Sequence, residues 1–467
     1  MTVDRIVKKN GNSGRFKKNL QNQRKTSEKP MSKNKKTDSA PQNDSARKKN
    51  GAKKHQEDAD SPKSGGVVAG MVRTLLILGM VAFLLWSLAK DNPKFRALFN
   101  RFVEAQNPAG GMVETLFTQG ETMGTFWNVK VAGPPEGWNG ARLNEAAQET
   151  LDRVDALMST YQENSEIARF NRSDSTDWFD VSAETAKVVA LALEISKETD
   201  GAFDVTVAPL VNIWKFGPDK TPLTALPTSA EIEKARSRCG WQNLEVRTEN
   251  GPALRKAIPE LSIDLSAIAK GYAVDALAEL FATEGIANYL IDVGGEVRCA
   301  GRKAPLAPGE PEDANRWILG IEKPIVSADA PPVPLWAVTP GDSAMATSGS
   351  ARNFSTVGGQ RFSHIIDPRT GRPTEIHGAQ TARPATEPGS VSVLDASCAR
   401  ADALATALFV LGPDAGIERA DRLGLAVLYI LRSTDAAEMQ YTEKGSQKFA
   451  ELKSQRLDQK VSEKSEK

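Results

Sequence analysis

Cysteine is scarce in this chain of 467 residues. The three cysteines, Cys239, Cys299 and Cys398, are odd in number and form no CxxC pair, which argues against a disulfide framework and against a structural zinc site. Net charge is almost absent as well, at +1, but basic and acidic stretches cancel in that total. The 40% of hydrophobic residues is enough for a packed core, so we expect a folded body of one large or two medium domains.

The first 65 residues lack the residues from which a core is built. They are rich in Lys, Arg, Asn, Ser and Gln and have almost no aromatic or β-branched residues, so we predict a disordered basic arm on the cytoplasmic side. Basic runs at residues 33–36 and 47–49 resemble footprints for nucleic acid. No aromatic residues are interleaved with them, and the next segment explains the charge better, so no nucleic-acid partner is predicted.

A single long apolar segment occupies residues 66–89. Residues 67–89 read VVAGMVRTLLILGMVAFLLWSLA, which is long enough to span a bilayer, and Arg73 lies near one end where its charge can reach the interface. Positive charge before the segment places the amino terminus in the cytoplasm. A buried core helix is the alternative. We expect a single-pass protein of the inner (cytoplasmic) membrane with its body in the periplasm.

A cleavable signal peptide is a competing interpretation of this segment, because Ser87, Leu88 and Ala89 resemble a small-x-small cleavage site. The preceding arm is much longer than an ordinary signal-peptide start, so an uncleaved anchor is favoured. No cysteine lies near Ala89, which excludes a lipid anchor there. Residues 90–112, which include an amphipathic stretch at 93–105 and the sequence NPAGG, are interpreted as a linker.

The folded body is predicted at residues 113–441, and residues 442–467 alternate in charge like a frayed or disordered tail. Alternation predicts strands, and helical spacing predicts helices. The predicted strands cover 126–131 and 289–293, and the predicted helices cover 143–158, 182–199, 273–281 and 401–410. These elements interleave without a strict βαβ period, so the predicted class is α+β, with mixed or antiparallel sheets and packed helices.

Two short blocks near the start of the body are weak signals by themselves. Residues 121–127 (ETMGTFW) put Met123 beside a glycine that opens a strand. Residues 158–171 (MSTYQENSEIARFN) put Tyr161 where its ring can stack on a planar ligand. The alternative, that Tyr161 and Phe170 only pack the end of a helix, is equally open.

Two further blocks indicate close approach of a ligand to the backbone. Residues 199–210 (TDGAFDVTVAPL) are interpreted as a helix stop followed by a strand of small residues, or as an ordinary turn. Residues 263–275 (IDLSAIAKGYAVD) place Asp264, Ser266 and Lys270 just before a helix, whose free amides and dipole favour phosphate. The spacing is not that of a P-loop, and Lys270 as a solvated surface lysine remains open.

A fifth constellation consists of residues 346–352 (ATSGSAR), 363–373 (SHIIDPRTGRP) and 400–408 (RADALATAL). Asp402 and Thr406 are four residues apart, so their oxygens share one helical face, and they suit a hard cation such as Mg²⁺. Alternatively, Asp402 caps the helix and Thr406 bonds back to a carbonyl.

Histidine is also scarce. His55 falls in the basic arm, so His364 and His377 are the only imidazoles available to the body. His364 precedes an Asp-Pro turn and can act there as a general base for a hydroxyl nucleophile, or it can be an ordinary hydrogen-bonded residue at a strand end.

Taken together and in this order, the blocks resemble the ApbE family, the FAD:protein FMN transferases, across roughly residues 115–435. The stretches that agree are MGT at 123, STY at 159, GAFD at 201, DLSAIAKGYAVD at 264, residues 290–295, HIIDP at 364 and ADALATA at 401. The resemblance implies an α+β fold with FAD as substrate, held between its parts. It also implies transfer of FMN to a threonine of an acceptor protein, an electron-transfer flavoprotein, with release of AMP.

The resemblance implies a role for particular residues. The residues placed around FAD are Met123, Tyr161, Ala202, Phe203, Asp204, Asp264, Lys270 and Ile365. Mg²⁺ is held by Asp402 and Thr406, with the main chain near Ala267 and Ala405 helping. His364 takes the proton from the acceptor threonine. Lys270 departs from the family pattern, since some relatives have an acidic residue there. Family members are often lipoproteins, whereas this chain is predicted to have an uncleaved helix.

Two other functions remain open from the sequence. Water can replace the threonine, which makes the protein a Mg²⁺-dependent FAD pyrophosphatase that releases FMN and AMP. A non-catalytic, membrane-tethered flavin-binding protein is the second alternative. The presence of both Asp402 and Thr406 argues against it, because a mere binder needs no metal bridging phosphates.

Overall fold

The computed structural model describes residues 113–219, 221–324, 332–350, 353–374, 376–377, 386–433 and 440–457. The predicted arm, membrane segment and linker, residues 1–112, lie outside these ranges. Within them, no helix is both long enough and apolar enough to cross a membrane.

Helices and strands alternate irregularly along the body. The helices are α1 (Gly140–Met158), α2 (Glu166–Arg172), α3 (Ala183–Glu198), α4 (Ala208–Ile213), α5 (Ser229–Arg236), α6 (Ala269–Thr283), α7 (Cys398–Leu411), α8 (Pro413–Leu423) and α9 (Gln447–Ala450). Short 3₁₀ turns cover Val205–Val207 and Trp241–Asn243.

The strands are β1 (Thr115–Thr122), β2 (Thr125–Ala132), β3 (Phe179–Asp180), β4 (Leu244–Arg247), β5 (Ala253–Lys256), β6 (Tyr289–Val293), β7 (Glu296–Ala300), β8 (Leu319–Glu322), β9 (Pro334–Val338), β10 (Ala344–Gly349), β11 (Phe354–Val357), β12 (Gln360–Ser363), β13 (Ile366–Asp367), β14 (Arg372–Pro373), β15 (Ile376–His377), β16 (Thr386–Asp395), β17 (Ala426–Ser433), β18 (Tyr441–Gly445) and β19 (Ser454–Arg456). The predicted α+β class is confirmed.

An eight-stranded sheet forms the centre, in the order β1-β2-β6-β7-β10-β16-β17-β18. Each neighbouring pair is antiparallel. The β1–β2 connection is a two-residue turn in which Met123 and Gly124 both have positive φ, 47° and 71°. Such a turn matches the twist of the two strands, which is why the glycine predicted to open a strand lies at this point.

The central sheet is covered on both faces, because successive side chains of a strand point to opposite sides. On one face, the inward residues of β2 and β6 pack with α1, α3, α6 and α7 in the largest apolar cluster. On the other face, residues such as Met345, Leu428 and Ile430 pack against β8, β9 and Phe449 of α9. The helices that carry the candidate site therefore all lie on one side of the sheet.

Most of the predicted elements are confirmed with small shifts in their ends. The helix predicted at 182–199 is α3, with Ser182 as its cap accepting from the Thr185 amide, and Asp200 and Gly201 close it with positive φ. The helices predicted at 143–158, 273–281 and 401–410 are α1, α6 and α7, and the strand predicted at 289–293 is β6.

The strand predicted after Gly201 is wrong, because the chain there forms a 3₁₀ turn and then α4. Asp204 explains the difference. Its Oδ1 accepts hydrogen bonds from the amide and the hydroxyl of Thr206, which starts a helical turn, and Pro209 lies in the first turn of α4, where proline is well tolerated. These local bonds outweigh the β preference of the valines.

The frayed tail predicted from residue 442 is also wrong as far as residue 457. Strand β18 completes the central sheet, and β19 pairs with β9. Phe449 is buried and packs on the ring of Trp336, with the ring centroids 5.9 Å apart. Three very short elements share the few apolar residues of this segment, so no period was visible in the sequence.

Helices α6 and α7 approach each other closely at Gly271. A methyl carbon added there would lie 2.4 Å from the carbonyl oxygen of Cys398 and 2.8 Å from the Cα of Ala399. Both obstacles are backbone atoms, so they cannot rotate away.

We expect Gly271→Ala to lower the free energy of unfolding by about 1 to 3 kcal/mol, because the two helices must separate to admit the methyl group. Denaturant unfolding followed by circular dichroism measures this change. Gly140→Ala in the first turn of α1 is the matched control, since the space around Gly140 is open. Equal stabilities of the two variants would contradict the tight contact at Gly271.

Candidate active site

The loop before α6 brings Asp264, Ala267 and Lys270 into one place. The Asp264 amide donates to the carbonyl of Val205 at 2.7 Å, and its Oδ1 accepts from the Ser266 amide at 2.8 Å. Lys270 lies in the first turn of α6, and its ammonium group forms an ion pair with Glu296 at the start of β7. Glu296 is buried, so the interpretation of Lys270 as a solvated surface lysine is wrong.

Asp402 lies in α7 but does not cap its own helix. That cap is Ser397, whose hydroxyl accepts from the Arg400 amide. Asp402 is only 4% exposed, and its Oδ2 accepts at 3.0 Å from the Gly271 amide in the first turn of α6. The alternative interpretation, that Asp402 caps α7, is therefore wrong, and the carboxylate is directed at α6 instead.

Thr406 lies one turn after Asp402 on the same face of α7. Its hydroxyl oxygen is 3.0 Å from the hydroxyl of Ser348 on β10, and either oxygen can be the donor. Carboxylate and hydroxyl oxygens are the ligands that Mg²⁺ prefers. In the described ranges no cluster of three or more His, Cys, Asp or Glu side chains forms a metal site, so Mg²⁺ at this place would draw further ligands from phosphate and water.

The charges around Lys270 are mutually dependent. Burial alone would lower the pKa of Lys270, but the carboxylates of Glu296 and Asp402 outweigh it and raise that pKa. Burial raises the pKa of Glu296 and of Asp402, and the Lys270 ammonium group opposes both shifts. The lysine therefore keeps its positive charge between two acidic groups, close to where a phosphate would bind.

His364 lies between β12 and β13, half-buried. Its Nδ1 is 3.0 Å from the carbonyl oxygen of Asn353. A carbonyl only accepts, so Nδ1 carries the proton and Nε2 keeps a lone pair in the neutral ring. Burial, with a smaller contribution from the positive charge of Lys270, lowers the pKa of His364 to about 4, although the hydrogen bond to Asn353 opposes this shift. The imidazole is therefore neutral near pH 7 and able to accept a proton.

Tyr161 and Phe170, which belong to the same sequence block, have different environments. Phe170 is buried and packs edge-on against Phe179, with the ring centroids 5.7 Å apart. Tyr161 is 53% exposed, and its hydroxyl donates to the carbonyl of Phe216 at 3.2 Å. The Phe216 ring in turn meets His364 edge-on, at 6.4 Å between centroids. Tyr161 is thus available to a planar ligand next to His364.

Four other residues that the resemblance assigned to FAD lie in two segments that are joined by a backbone hydrogen bond. Ala202, Phe203 and Asp204 are buried, and Asp264 bonds to the next residue of that loop, Val205. The Asp204 carboxylate accepts from the Trp241 amide as well as from Thr206, so its side chain holds the loop. A cavity of about 530 Å³ lies beside Asp204, Gly201 and Trp241, and it is not lined by His364 or by Asp402.

Three assigned residues have mainly apolar surroundings. Met123 lies at the tip of the β1–β2 turn and packs on the largest apolar cluster. Ile365 is buried beside His364, and its carbonyl accepts from the Thr374 amide at 2.9 Å. Ala405 is fully buried in α7. Their contacts with FAD or metal stay predictions.

The sequence analysis missed two residues of the site, Glu296 and Ser348. Glu296 follows the Gly294-Gly295 turn after β6, and Ser348 lies in the ATSGSAR block, in which the sequence predicted no role for this serine. A glutamate directly after a double glycine at a strand end was the available signal. Their partners, Lys270 and Thr406, are 26 and 58 residues away along the chain, so the pairing was not visible in the sequence.

Comparison with known proteins identifies the family of this chain. The model of the ApbE family matches residues 123–429, which include every element of the site. The chain belongs to the ApbE family.

Solved structures of ApbE proteins share this fold. The flavin transferase ApbE from Vibrio cholerae is 38% identical, with a TM-score of 0.61 over 73% of this chain and 99% of that one. The flavinyl transferase ApbE from Pseudomonas stutzeri, in its apo form, is 30% identical, with a TM-score of 0.60 over 73% of this chain and 97% of that one.

Curated relatives agree with the structures. The FAD:protein FMN transferase of Salmonella typhimurium is 41% identical over 67% of this chain and 83% of its own length. That of Escherichia coli K12 is 38% identical over 69% of this chain and 86% of its own length. This ApbE chain is therefore an enzyme, a flavin transferase of the FAD:protein FMN transferase type, as the blocks in its sequence predicted.

Proposed function

We propose that this flavin transferase uses Mg²⁺ to attach FMN from FAD to a threonine of an acceptor flavoprotein, releasing AMP, on the periplasmic side of the inner membrane. The proposal rests on one observation, namely that side chains suited to three different tasks lie near one another. Lys270 and the start of α6 suit a phosphate, Asp402 and Thr406 suit a cation, and neutral His364 suits a proton acceptor.

FAD is held by the residues that the family resemblance assigned. Its diphosphate lies at the start of α6, where the helix dipole and the Lys270 ammonium group attract anions. The exposed ring of Tyr161 offers a stacking surface beside His364. The loop of Ala202, Phe203 and Asp204 is short and rigidly bonded, which lets a ligand meet its main chain.

Asp402 and Thr406 hold Mg²⁺, with the main chain near Ala267 and Ala405 completing the protein ligands. The single hydrogen bond described for Asp402 uses Oδ2, so Oδ1 is the oxygen available for the ion. When bound there, Mg²⁺ would neutralise the negative charge that builds up on the AMP leaving group.

His364 prepares the nucleophile. Its Nε2 takes the proton from the acceptor threonine while the threonine oxygen bonds to the phosphorus of the FMN half of FAD. The bond from that phosphorus to the bridging oxygen breaks, and AMP leaves with this oxygen. The products are a phosphoester-linked flavin on the acceptor and AMP, and the proton is left on His364 for release to water.

The rate of transfer should depend on pH through His364. The group works as a base only when neutral, and its pKa is lowered from 6.5 to about 4. We therefore expect single-turnover transfer to rise with pH through about 4 and to stay level from about pH 5 to 8. In Lys270→Gln one positive charge is gone, so the pKa of His364 rises and the acid limb moves to higher pH. An acid limb at pH 6 to 7 in the unchanged protein would contradict the assignment.

The reaction is tested by incubating the full chain in detergent with FAD, Mg²⁺ and a candidate acceptor flavoprotein. We expect intact-protein mass spectrometry to show one FMN added to the acceptor, and chromatography to show AMP in equal amount. Tandem mass spectrometry then places the flavin on a threonine. Free FMN and AMP without any adduct would show a pyrophosphatase instead.

The location has a separate basis, namely the apolar run at residues 67–89 and the positive charge before it. We expect the chain to sediment with membranes and to resist extraction by carbonate. In spheroplasts, added protease should digest the body, whereas a tag at the amino terminus should stay protected. A body recovered in the cytoplasm would exclude this topology without affecting the chemistry.

A further inference from the structure

Helices α6 and α7 each have an aspartate that accepts hydrogen bonds from backbone amides in the first turn of the other helix. Asp402 of α7 accepts from the Gly271 amide in the first turn of α6. One turn further along α6, Asp275 accepts from the first turn of α7. Its Oδ1 is 3.0 Å from the Cys398 amide, and its Oδ2 is 3.0 Å from the Ala399 amide. Each helix therefore carries the acceptor for the other.

The Asp275 carboxylate is held from several sides. Its Oδ2 also accepts from the hydroxyl of Ser397, the cap of α7, at 2.8 Å, and Arg298 of β7 forms an ion pair with its Oδ1. The first amides of a helix have no partner within the helix, and the helix dipole favours a negative charge beside them. Hydrogen bonds to an ionised carboxylate are stronger than those between neutral groups. Asp275 therefore ties the beginning of α7 to α6 at a defined position.

The close contact at Gly271 further restricts how the two helices can move relative to each other. With no side chain at residue 271, the backbone of α6 rests directly on Cys398 and Ala399, the two residues whose amides Asp275 accepts. The contact limits how near the helices come, and the two carboxylates prevent sliding and rotation. The axial position of α7 on α6 is thus set at this one point.

The proposed metal site is divided between these two helices. Asp402 and Thr406 belong to α7, whereas Ala267 lies in the loop before α6, and Lys270, assigned to the phosphate, lies in the first turn of α6. A displacement of α7 moves the first pair relative to the second. A cation with strict octahedral geometry tolerates little displacement of its ligands.

We propose that Asp275 is a positioning residue for the metal site: by holding the first turn of α7 against α6, it sets the place of Asp402 and Thr406 relative to the main chain at Ala267. Asp275 touches neither substrate nor metal itself. The inference rests on the proposed function, because it presumes that Asp402 and Thr406 hold Mg²⁺.

The test compares Asp275→Ala and Asp275→Asn with the unchanged full chain in detergent. We expect the Mg²⁺ concentration for half-maximal transfer to rise about 10- to 100-fold in Asp275→Ala, with kcat largely restored at saturating Mg²⁺. Asp275→Asn keeps one oxygen for one amide, so its shift should be smaller. Binding of Mn²⁺, followed by electron paramagnetic resonance without turnover, should weaken in the same order.

Asp421→Ala is the matched control. Asp421 of α8 also accepts from a backbone amide of another helix, that of Gln447 at 2.8 Å, but it lies outside the site. Its loss should lower stability and leave the half-maximal Mg²⁺ concentration unchanged. The proposal is overturned if the Asp275 variants lower only stability or kcat, with unaltered binding of Mg²⁺ and Mn²⁺.

If Asp275→Ala fails to fold, the Asp275→Asn variant decides by the same two readings. Failure of the inference can be separated from failure of the proposed function by Asp402→Asn. Transfer that depends on Asp402 but not on Asp275 refutes the positioning role alone. Transfer that is independent of Asp402 refutes the metal assignment, and the inference with it.

Discussion

Asp402→Asn should lower kcat for FMN transfer by about 10² to 10³-fold, because the site loses the one carboxylate proposed to hold Mg²⁺. Asparagine has the shape of aspartate, and its amide oxygen can still accept from the Gly271 amide, so the contact between α6 and α7 is kept. The charge and the second oxygen are lost. The NH₂ group that replaces this oxygen repels a cation.

The measurement is the rate of acceptor labelling, followed by flavin fluorescence in a gel, over a range of Mg²⁺ concentrations. Thermal unfolding of the same sample checks that the fold is intact. Asp414→Asn is the matched control, since Asp414 of α8 is exposed and pairs only with Lys444 among the residues described. A variant at position 402 with an unchanged rate and an unchanged Mg²⁺ requirement would remove the metal assignment.

His364→Ala should lower transfer at pH 7 by about 10² to 10⁴-fold, the usual contribution of a positioned general base. Because the pKa of His364 is lowered by burial, its imidazole is neutral near pH 7 and can take the proton, and the threonine hydroxyl is a poor nucleophile without such help. Tyr161 and Lys270 remain in place, so we expect FAD to bind with nearly unchanged affinity, measured by fluorescence quenching. The loss then appears in kcat rather than in KM for FAD.

His377→Ala is the natural control, because His377 is the other imidazole of the body. We expect it to transfer FMN at close to the original rate. Alkaline pH raises the fraction of ionised hydroxyl, so part of the His364→Ala activity should return as the pH rises. A normal rate for His364→Ala at neutral pH would assign the base to another group.

The helices of the site could be predicted because their apolar periods are long. Helices α3, α6 and α7 appear in the sequence within a few residues of their observed ends, since each buries a continuous face against the central sheet. In contrast, the structures of the segment after Gly201 and of the segment from residue 442 could not be predicted. In the first, the side chain of Asp204 starts a helical turn against the preference of the valines. In the second, three elements of three to five residues are too short to show a period.

Pairs of polar residues were harder to predict than elements. Lys270 had two equal interpretations in the sequence, and only its ion pair with buried Glu296 excludes the solvated one. Asp402 likewise had a capping role open to it, but its carboxylate accepts from the Gly271 amide of α6 instead. In each case the deciding partner lies on a different element, so local spacing carries no information about it.

By itself, the sequence determined the family, the flavin-transfer activity and the helical face on which Asp402 and Thr406 lie, because these depend on short motifs and on local periodicity. Only the tertiary structure decided how the site is assembled. It joins Lys270 to Glu296, Thr406 to Ser348, and α6 to α7 through Asp275 and Asp402. Such contacts arise when packing of the central sheet brings distant segments together, and burial then requires each polar group to find a partner.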